Sequence, residues 1–223
     1  MVKSLKNAKY FLLLSAIYLI VGFIILSIIE KGELEILLNQ HHNPFLDVFF
    51  RTATFMGEGI FETIIILFLF FIKRYYGIVA GTSLILTTIV TQSLKRLVFA
   101  DTLRPKAFFE GLKDLYYIEG LEIHSHFSFP SGHTSGAFTI FLVLALITRN
   151  PLSGILFFIL AFLTGISRMY LLQHFFIDTY FGTLIAIVLT LIIFFLFEKS
   201  SLSKREDLQR PVKIFKNRSN ING

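Results

Sequence analysis

The residues best suited to chemistry in this sequence fall in three short stretches. Lys95-Arg96 and Arg104-Pro105 open a polar segment, Pro130-Ser131-Gly132-His133 closes it, and Ser167-Arg168, His174 and Asp178 form a third group within twelve positions. Arg104 and Arg168 carry planar forks that match pairs of phosphate oxygens, and Lys95 adds a point charge. Ser131 and Gly132 precede an apolar run. If that run is helical, their N–H groups and the positive end of its dipole can cradle an anion. Pro130 fixes the chain entering the turn, and Gly132 permits a close approach. His174 and Asp178 are four apart, on one face if helical. The carboxylate can then keep one imidazole nitrogen protonated and leave the other to attack phosphorus. His133 is placed to protonate the departing oxygen. Such a transition state needs mainly positioning and charge stabilisation, and three cations can replace a metal. Taken singly, each residue has a plainer reading as an interface anchor, a structural histidine or a helix-surface contact. Their conjunction is what favours chemistry.

Composition says what kind of scaffold must bring them together. Of 223 residues 54% are hydrophobic and 16% charged, with 27 phenylalanines. A soluble domain has about 45–50% apolar and about 25% charged residues, so the excess belongs in lipid. With no cysteine, disulfides, thiolate metal sites and cysteine nucleophiles are excluded. About six apolar runs approach the length a ~30 Å hydrocarbon core requires: 10–29, 57–72, 76–94, 134–149, 152–169 and 178–197. The first lacks a cleavage pattern and reads as a retained span. The third carries Thr82, Ser83, Thr87, Thr88 and Thr91, hydroxyls suited to a helix interface inside a bundle. Arg149-Asn150-Pro151 makes a tight turn between the fourth and fifth.

If the N-terminus is cytoplasmic, all the basic excess behind the net charge of +6 lies inside: Lys3, Lys6, Lys9, Lys73, Arg74, Arg149 and the tail from Glu198. That arrangement obeys the positive-inside rule. An even span count then puts both termini inside and all three chemical stretches at the outer edge. The expected fold is all-α: an integral membrane bundle of six transmembrane helices, with an amphipathic helix lying on the surface at Asn43–Phe50 and a long outward loop at 95–132. One domain covers 1–223, with a basic cytoplasmic tail at 198–223.

Pro-Ser-Gly-His at 130–133 and Ser-Arg-x5-His-x3-Asp at 167–178 resemble the second and third signatures of the type 2 phosphatidic acid phosphatase family. The resemblance covers roughly 40–195 and includes the Asn-Pro-Phe-Leu-Asp stretch from Asn43. It implies a metal-independent lipid phosphatase with His174 as nucleophile, His133 as general acid, Asp178 orienting His174, and Lys95, Arg104 and Arg168 binding phosphate. It implies no cofactor. The family's first signature is Lys, six residues, then Arg-Pro; here eight residues separate Lys95 from Arg104, and seven separate Arg96 from it. A bulge at Ala100–Leu103 can keep Lys95 in the site, or Arg96 can take its place.

The implied substrate is a membrane lipid bearing a phosphomonoester or pyrophosphate: undecaprenyl pyrophosphate, phosphatidylglycerophosphate, phosphatidic acid or lipid A phosphate. The chain's partners are that lipid and the bilayer, with no nucleic acid. The size suggests a bacterial enzyme in the cytoplasmic (inner) membrane, its site facing the periplasm or exterior. A lipid phosphotransferase using the same His/His/Asp site, or a non-catalytic lipid-binding or transport protein, are the alternatives. Oligomeric state leaves no trace in the sequence. His41-His42, His124 and His126 read as loop polarity, with His126 near the mouth of the site. Glu62 is expected near the outer edge among polar groups.

Overall fold

The apolar runs fold as helices, and the boundaries have local causes. A computed structural model describes residues 2–112 and 114–212. Its helices are α1 (Val2–Asn7), α2 (Lys9–Ile28), α3 (Glu33–Gln40), α4 (Pro44–Ala53), α5 (Gly59–Ile72), α6 (Arg74–Ser93), α7 (Pro105–Phe109), α8 (Gly132–Ile147), α9 (Ser153–Tyr170) and α10 (Phe176–Lys199). Among the described residues there is no strand. α4 starts where the Asn43 side chain accepts from Leu46 N–H (3.0 Å) and Pro44 takes the first helical position. α8 starts at Ser131, whose hydroxyl accepts from Thr134 N–H (3.4 Å). Between α8 and α9 the Asn150 side chain accepts from Leu152 N–H (3.0 Å), so the short turn turns the chain back on itself.

α8 is the axis of the bundle. It packs against α6, α9 and α10, and twelve of its sixteen residues are buried. α2 lies at the rim, with only Phe11, Ser15 and Gly22 buried, so most of its apolar surface is left for lipid. The hydroxyls of α6 do face the interior: Thr91 donates to Ser135 (3.3 Å), and Thr139 donates to Thr87 (3.3 Å), stitching α6 to α8.

Among the described residues four helices are long and apolar enough to cross a bilayer by themselves: Lys9–Ile28, Arg74–Val98, Ser153–Tyr170 and Phe176–Lys199. Pro44–Gly57 and Gly59–Ile72 count as a fifth crossing across a 52° bend. α8, at sixteen residues, extends about 24 Å, short of the ~30 Å core. All six expected runs are therefore helical, while length alone gives four or five crossings. α8 touches protein nearly all round and is not held to the bilayer's dimension.

Two short helices follow α2, where one was expected. α4 lays Asp47, Phe50 and Ala53 inward against α9 and leaves Phe45 and Val48 exposed. α3 was not foreseen. At the end of the bundle remote from residues 130–133, the tail turns back onto the α5–α6 junction: Tyr75 N–H donates to the Leu208 carbonyl (2.9 Å) and Val212 N–H to that of Phe70 (3.1 Å). The part of the basic tail from 213 onward lies outside the described residues.

Candidate active site

The C-terminal ends of α6 and α9 and the N-terminal ends of α8 and α10 meet at one end of the bundle, and the chemical residues meet there with them. His174 lies in the 171–175 turn between α9 and α10. The N–H groups of Gln173 and His174 both return to the Arg168 carbonyl (2.9 and 3.1 Å), so the turn is curled tightly over the end of α9. His174 is 1% exposed. Its Nδ1 faces Asp178 Oδ2 at 3.3 Å. The same oxygen accepts from Phe175 N–H (2.9 Å) and the Ser128 hydroxyl (2.5 Å), which fixes the carboxylate against both. His174 Nε2 makes no hydrogen bond among the described residues. Burial holds the His174 imidazole well below its usual range, and Arg104, Lys95, Arg168 and His133 push the same way. The ring is thus neutral, with one nitrogen oriented and the other free.

Three cations surround it. Lys95, Arg104 and Arg168 are each 7% exposed. Among the described residues none lies within ion-pair distance of a carboxylate. Arg168 Nη1 donates to the Thr54 hydroxyl (2.7 Å), and its buried Nε has no partner among the described residues. Arg104 is aimed by three hydrogen bonds: Nε to the His126 carbonyl (3.0 Å), and Nη1 to the Gln173 carbonyl (3.1 Å) and its side-chain oxygen (3.0 Å). The long loop is closed beneath it, with Arg104 N–H donating to the Ser125 carbonyl (2.8 Å) and Ser128 N–H to that of Thr102 (3.1 Å). Buried charge without a partner is costly. A cluster of this kind can receive an anion.

The irregular first stretch has a structural cause. α6 ends in a π turn, Leu94–Val98, closed by Phe99 N–H on the Leu94 carbonyl (2.9 Å), and Thr102 N–H then returns to Phe99 (3.2 Å). These two turns absorb the additional residues. Lys95 faces inward, while Arg96 is exposed and donates to Gln92 (3.3 Å).

His133 stands in the first turn of α8, and its Nε2 lies 2.9 Å from Glu58 Oε1. Ser131 departs from expectation. Its N–H donates to the Asp178 carbonyl (3.0 Å) and its hydroxyl caps α8, so it latches α8 to α10. The amides at the helix start without an intrahelical acceptor are those of Gly132 and His133. Gly182 makes the latch possible, because a Cβ there would stand 2.8 Å from the Ser131 carbonyl.

Glu58, Thr54, Gln173 and Ser128 were not singled out in the sequence, since isolated polar residues carry no spacing signal. Glu62 departs too: it is 5% exposed and its Oε1 has no hydrogen-bond partner among the described residues. His41 and His42 stay outside the site, His42 stacking on Tyr116 at 3.7 Å. His124 and His126, with Lys95, Arg96 and Arg104, border a cavity of about 480 Å³. Among the described residues no cluster of three or more His, Asp or Glu side chains could hold a metal.

The bundle is that of an integral-membrane protein in which His133, the buried His174 and three buried cations meet at one end of the helices. The PAP2 superfamily model matches residues 76–201, so the chain belongs to that family and is a membrane phosphatase. Two solved structures are similar. Aquifex aeolicus LpxE is 32% identical, with 74% of this chain and 94% of that one covered and a TM-score of 0.65. The transmembrane PAP2 type phosphatidylglycerolphosphate phosphatase from Bacillus subtilis is 22% identical, with 89% and 98% covered and a TM-score of 0.58. No curated protein matches the chain.

Proposed function

We propose that the protein hydrolyses a phosphomonoester or diphosphate on a membrane lipid through a phosphohistidine at His174. The observation that carries this is the set of three buried cations, none within ion-pair distance of a carboxylate among the described residues, around a histidine whose Nε2 makes no hydrogen bond among them. Lys95, Arg104 and Arg168 take the non-bridging phosphate oxygens, with the Gly132 amide beside them. His174 Nε2 attacks phosphorus, the bond to the lipid oxygen breaks, and that oxygen takes the electron pair and a proton from His133. Asp178 steadies the positive ring as its Nδ1–H is shared. Water, deprotonated by His133, then attacks the phosphohistidine; phosphate leaves and His174 is restored.

Two features support a lipid and bear on its head. An apolar groove of about 400 Å³ runs between α2, α3, α9 and α10 and is bordered by Met169 and Phe176, close in sequence to Arg168 and His174. The polar cavity over Lys95 and Arg104 has Arg96, His124 and His126 on its walls and, among the described residues, no carboxylate. That lining favours a head with more than one negative charge, such as a diphosphate. By the charge distribution, the site faces the exterior of the cytoplasmic membrane and both termini lie inside.

Phosphate release from farnesyl diphosphate, farnesyl monophosphate, phosphatidic acid and phosphatidylglycerophosphate by purified protein tests the reading. Wild type should release phosphate and His174→Ala should lose nearly all of it at unchanged thermal stability. Retained turnover would refute the mechanism. Transfer of the phosphoryl group to added lipid instead of water would make the protein a phosphotransferase.

A further inference from the structure

The turn between α4 and α5, residues Thr54–Glu58, lies outside the stretch matched to the family. Yet it touches two of the site's functional groups. Thr54 Oγ1 accepts from Arg168 Nη1 (2.7 Å), and Glu58 Oε1 lies 2.9 Å from His133 Nε2. Between them Gly57 is buried so close to α8 that a Cβ would stand 2.6 Å from the His133 carbonyl. The turn is seated against the histidine's own backbone, which fixes the approach of the Glu58 side chain. Burial, Arg168 and Lys95 hold the His133 ring down at about 4, and the hydrogen bond and charge of Glu58 push it back up.

We infer that Glu58 is a positioning residue that holds His133 by Nε2 and thereby makes Nδ1 the proton-donating nitrogen. The inference rests on the assignment of His133 as general acid and His174 as nucleophile. Among the described residues His133 Nδ1 has no hydrogen-bond partner, so it is the ring nitrogen left for the lipid oxygen. The two histidines then use opposite nitrogens. His174 gives Nδ1 to Asp178 and attacks with Nε2; His133 gives Nε2 to Glu58 and donates from Nδ1. In the first step the N–P bond forms, the P–O bond breaks and its electron pair moves to the lipid oxygen. The Nδ1 proton follows that pair, and Nε2–H stays on Glu58. In the second step water gives the proton back to Nδ1. Glu58 also supplies the negative charge that offsets Lys95 and Arg168 when the ring is protonated.

A leaving group that needs no proton separates this role from a merely structural one. Glu58→Gln should lower kcat at least about tenfold on an alkyl phosphate such as farnesyl monophosphate, part of the 10²–10⁴ that a general acid contributes. On p-nitrophenyl phosphate, whose phenolate departs unprotonated, the loss should be at most about threefold. Glu58→Asp, which keeps the charge, should recover part of the alkyl-phosphate rate. In a His133→Ala background, Glu58→Gln should cost nothing further, as two residues acting as one unit are not additive. Equal losses on both substrates, or full additivity with His133→Ala, would overturn the proposal. Failure of the underlying reading is distinguishable, since it appears as turnover retained by His174→Ala.

Discussion

Glu35 offers a quantitative test of how the turn that carries His174 is anchored. It sits in α3, 1% exposed, and accepts from Phe176 N–H at 2.8 Å, two residues past His174. Burial pushes its carboxyl up from 4.5 to about 7, with Asp178 adding to the rise while Lys31 and the hydrogen bond from Phe176 oppose it. Between those two values the folded state binds more protons than the unfolded one, so stability falls as pH rises through the window. At about 1.4 kcal/mol per pH unit, the loss is complete above pH 7 and amounts to about 3 kcal/mol. Glu35→Gln keeps an acceptor for Phe176 and removes the titration. The variant should melt about 6–12 °C higher than wild type at pH 8, by the usual scaling for a chain of this size. At pH 5, where the folded carboxyl is already neutral, the difference should shrink to a few degrees. Thermal unfolding in detergent at the two pH values measures both. A shift of equal size at pH 5 and pH 8 would show that the substitution acts through packing and refute the linkage argument.

Arg168→Lys keeps a charge but loses the fork and the Thr54 contact, and kcat/KM for lipid phosphate should fall about 100-fold, with folding intact. Lys95→Met should cost at least about ten times more activity than Arg96→Met, because only Lys95 faces inward. Burial, with Arg104, Lys95 and Arg168 beside it, holds the His174 imidazole well below its usual range. Phosphohistidine formation in single-turnover experiments should therefore show no titration near 6.5 between pH 7.5 and pH 6. Asp47 accepts from the hydroxyls of Tyr170 (2.5 Å) and Tyr116 (3.1 Å), so Asp47→Asn should destabilise the protein by about 1–3 kcal/mol, read as a lower melting temperature.

The helices and the site were legible in the sequence to different depths, for physical reasons. Long apolar runs admit few structures in lipid, since every backbone group must be satisfied within the segment; the six runs accordingly emerged as helices within a few residues of their expected ends. The depth of α8 was not legible, because burial by neighbours and burial by lipid demand the same residues. Arg168, His174 and Asp178 were legible because their spacing is locked to the end of one helix and the start of the next. Lys95 strained that logic, since motif spacing counts residues while the site constrains positions. A π turn followed by the Phe99–Thr102 turn shortens the path enough to keep Lys95 facing inward.

Ser131 shows the opposite failure. Its place before a helix suggested an anion-binding amide, yet the first claim on that N–H comes from the Asp178 carbonyl. Glu58 marks where sequence reasoning stopped. In the chain it is one acidic residue among several on an outer segment, adding only to a charge balance. The role inferred for it depends on Gly57, which lacks a Cβ and lets the turn reach the His133 backbone. No count of spacing between residues 57 and 133 reports that approach. Glu58, on a connecting turn beside His133, is therefore inferred to act on the general acid without belonging to any of the three sequence stretches. The Glu58→Gln leaving-group comparison tests that conclusion at the residue where it is most exposed to failure.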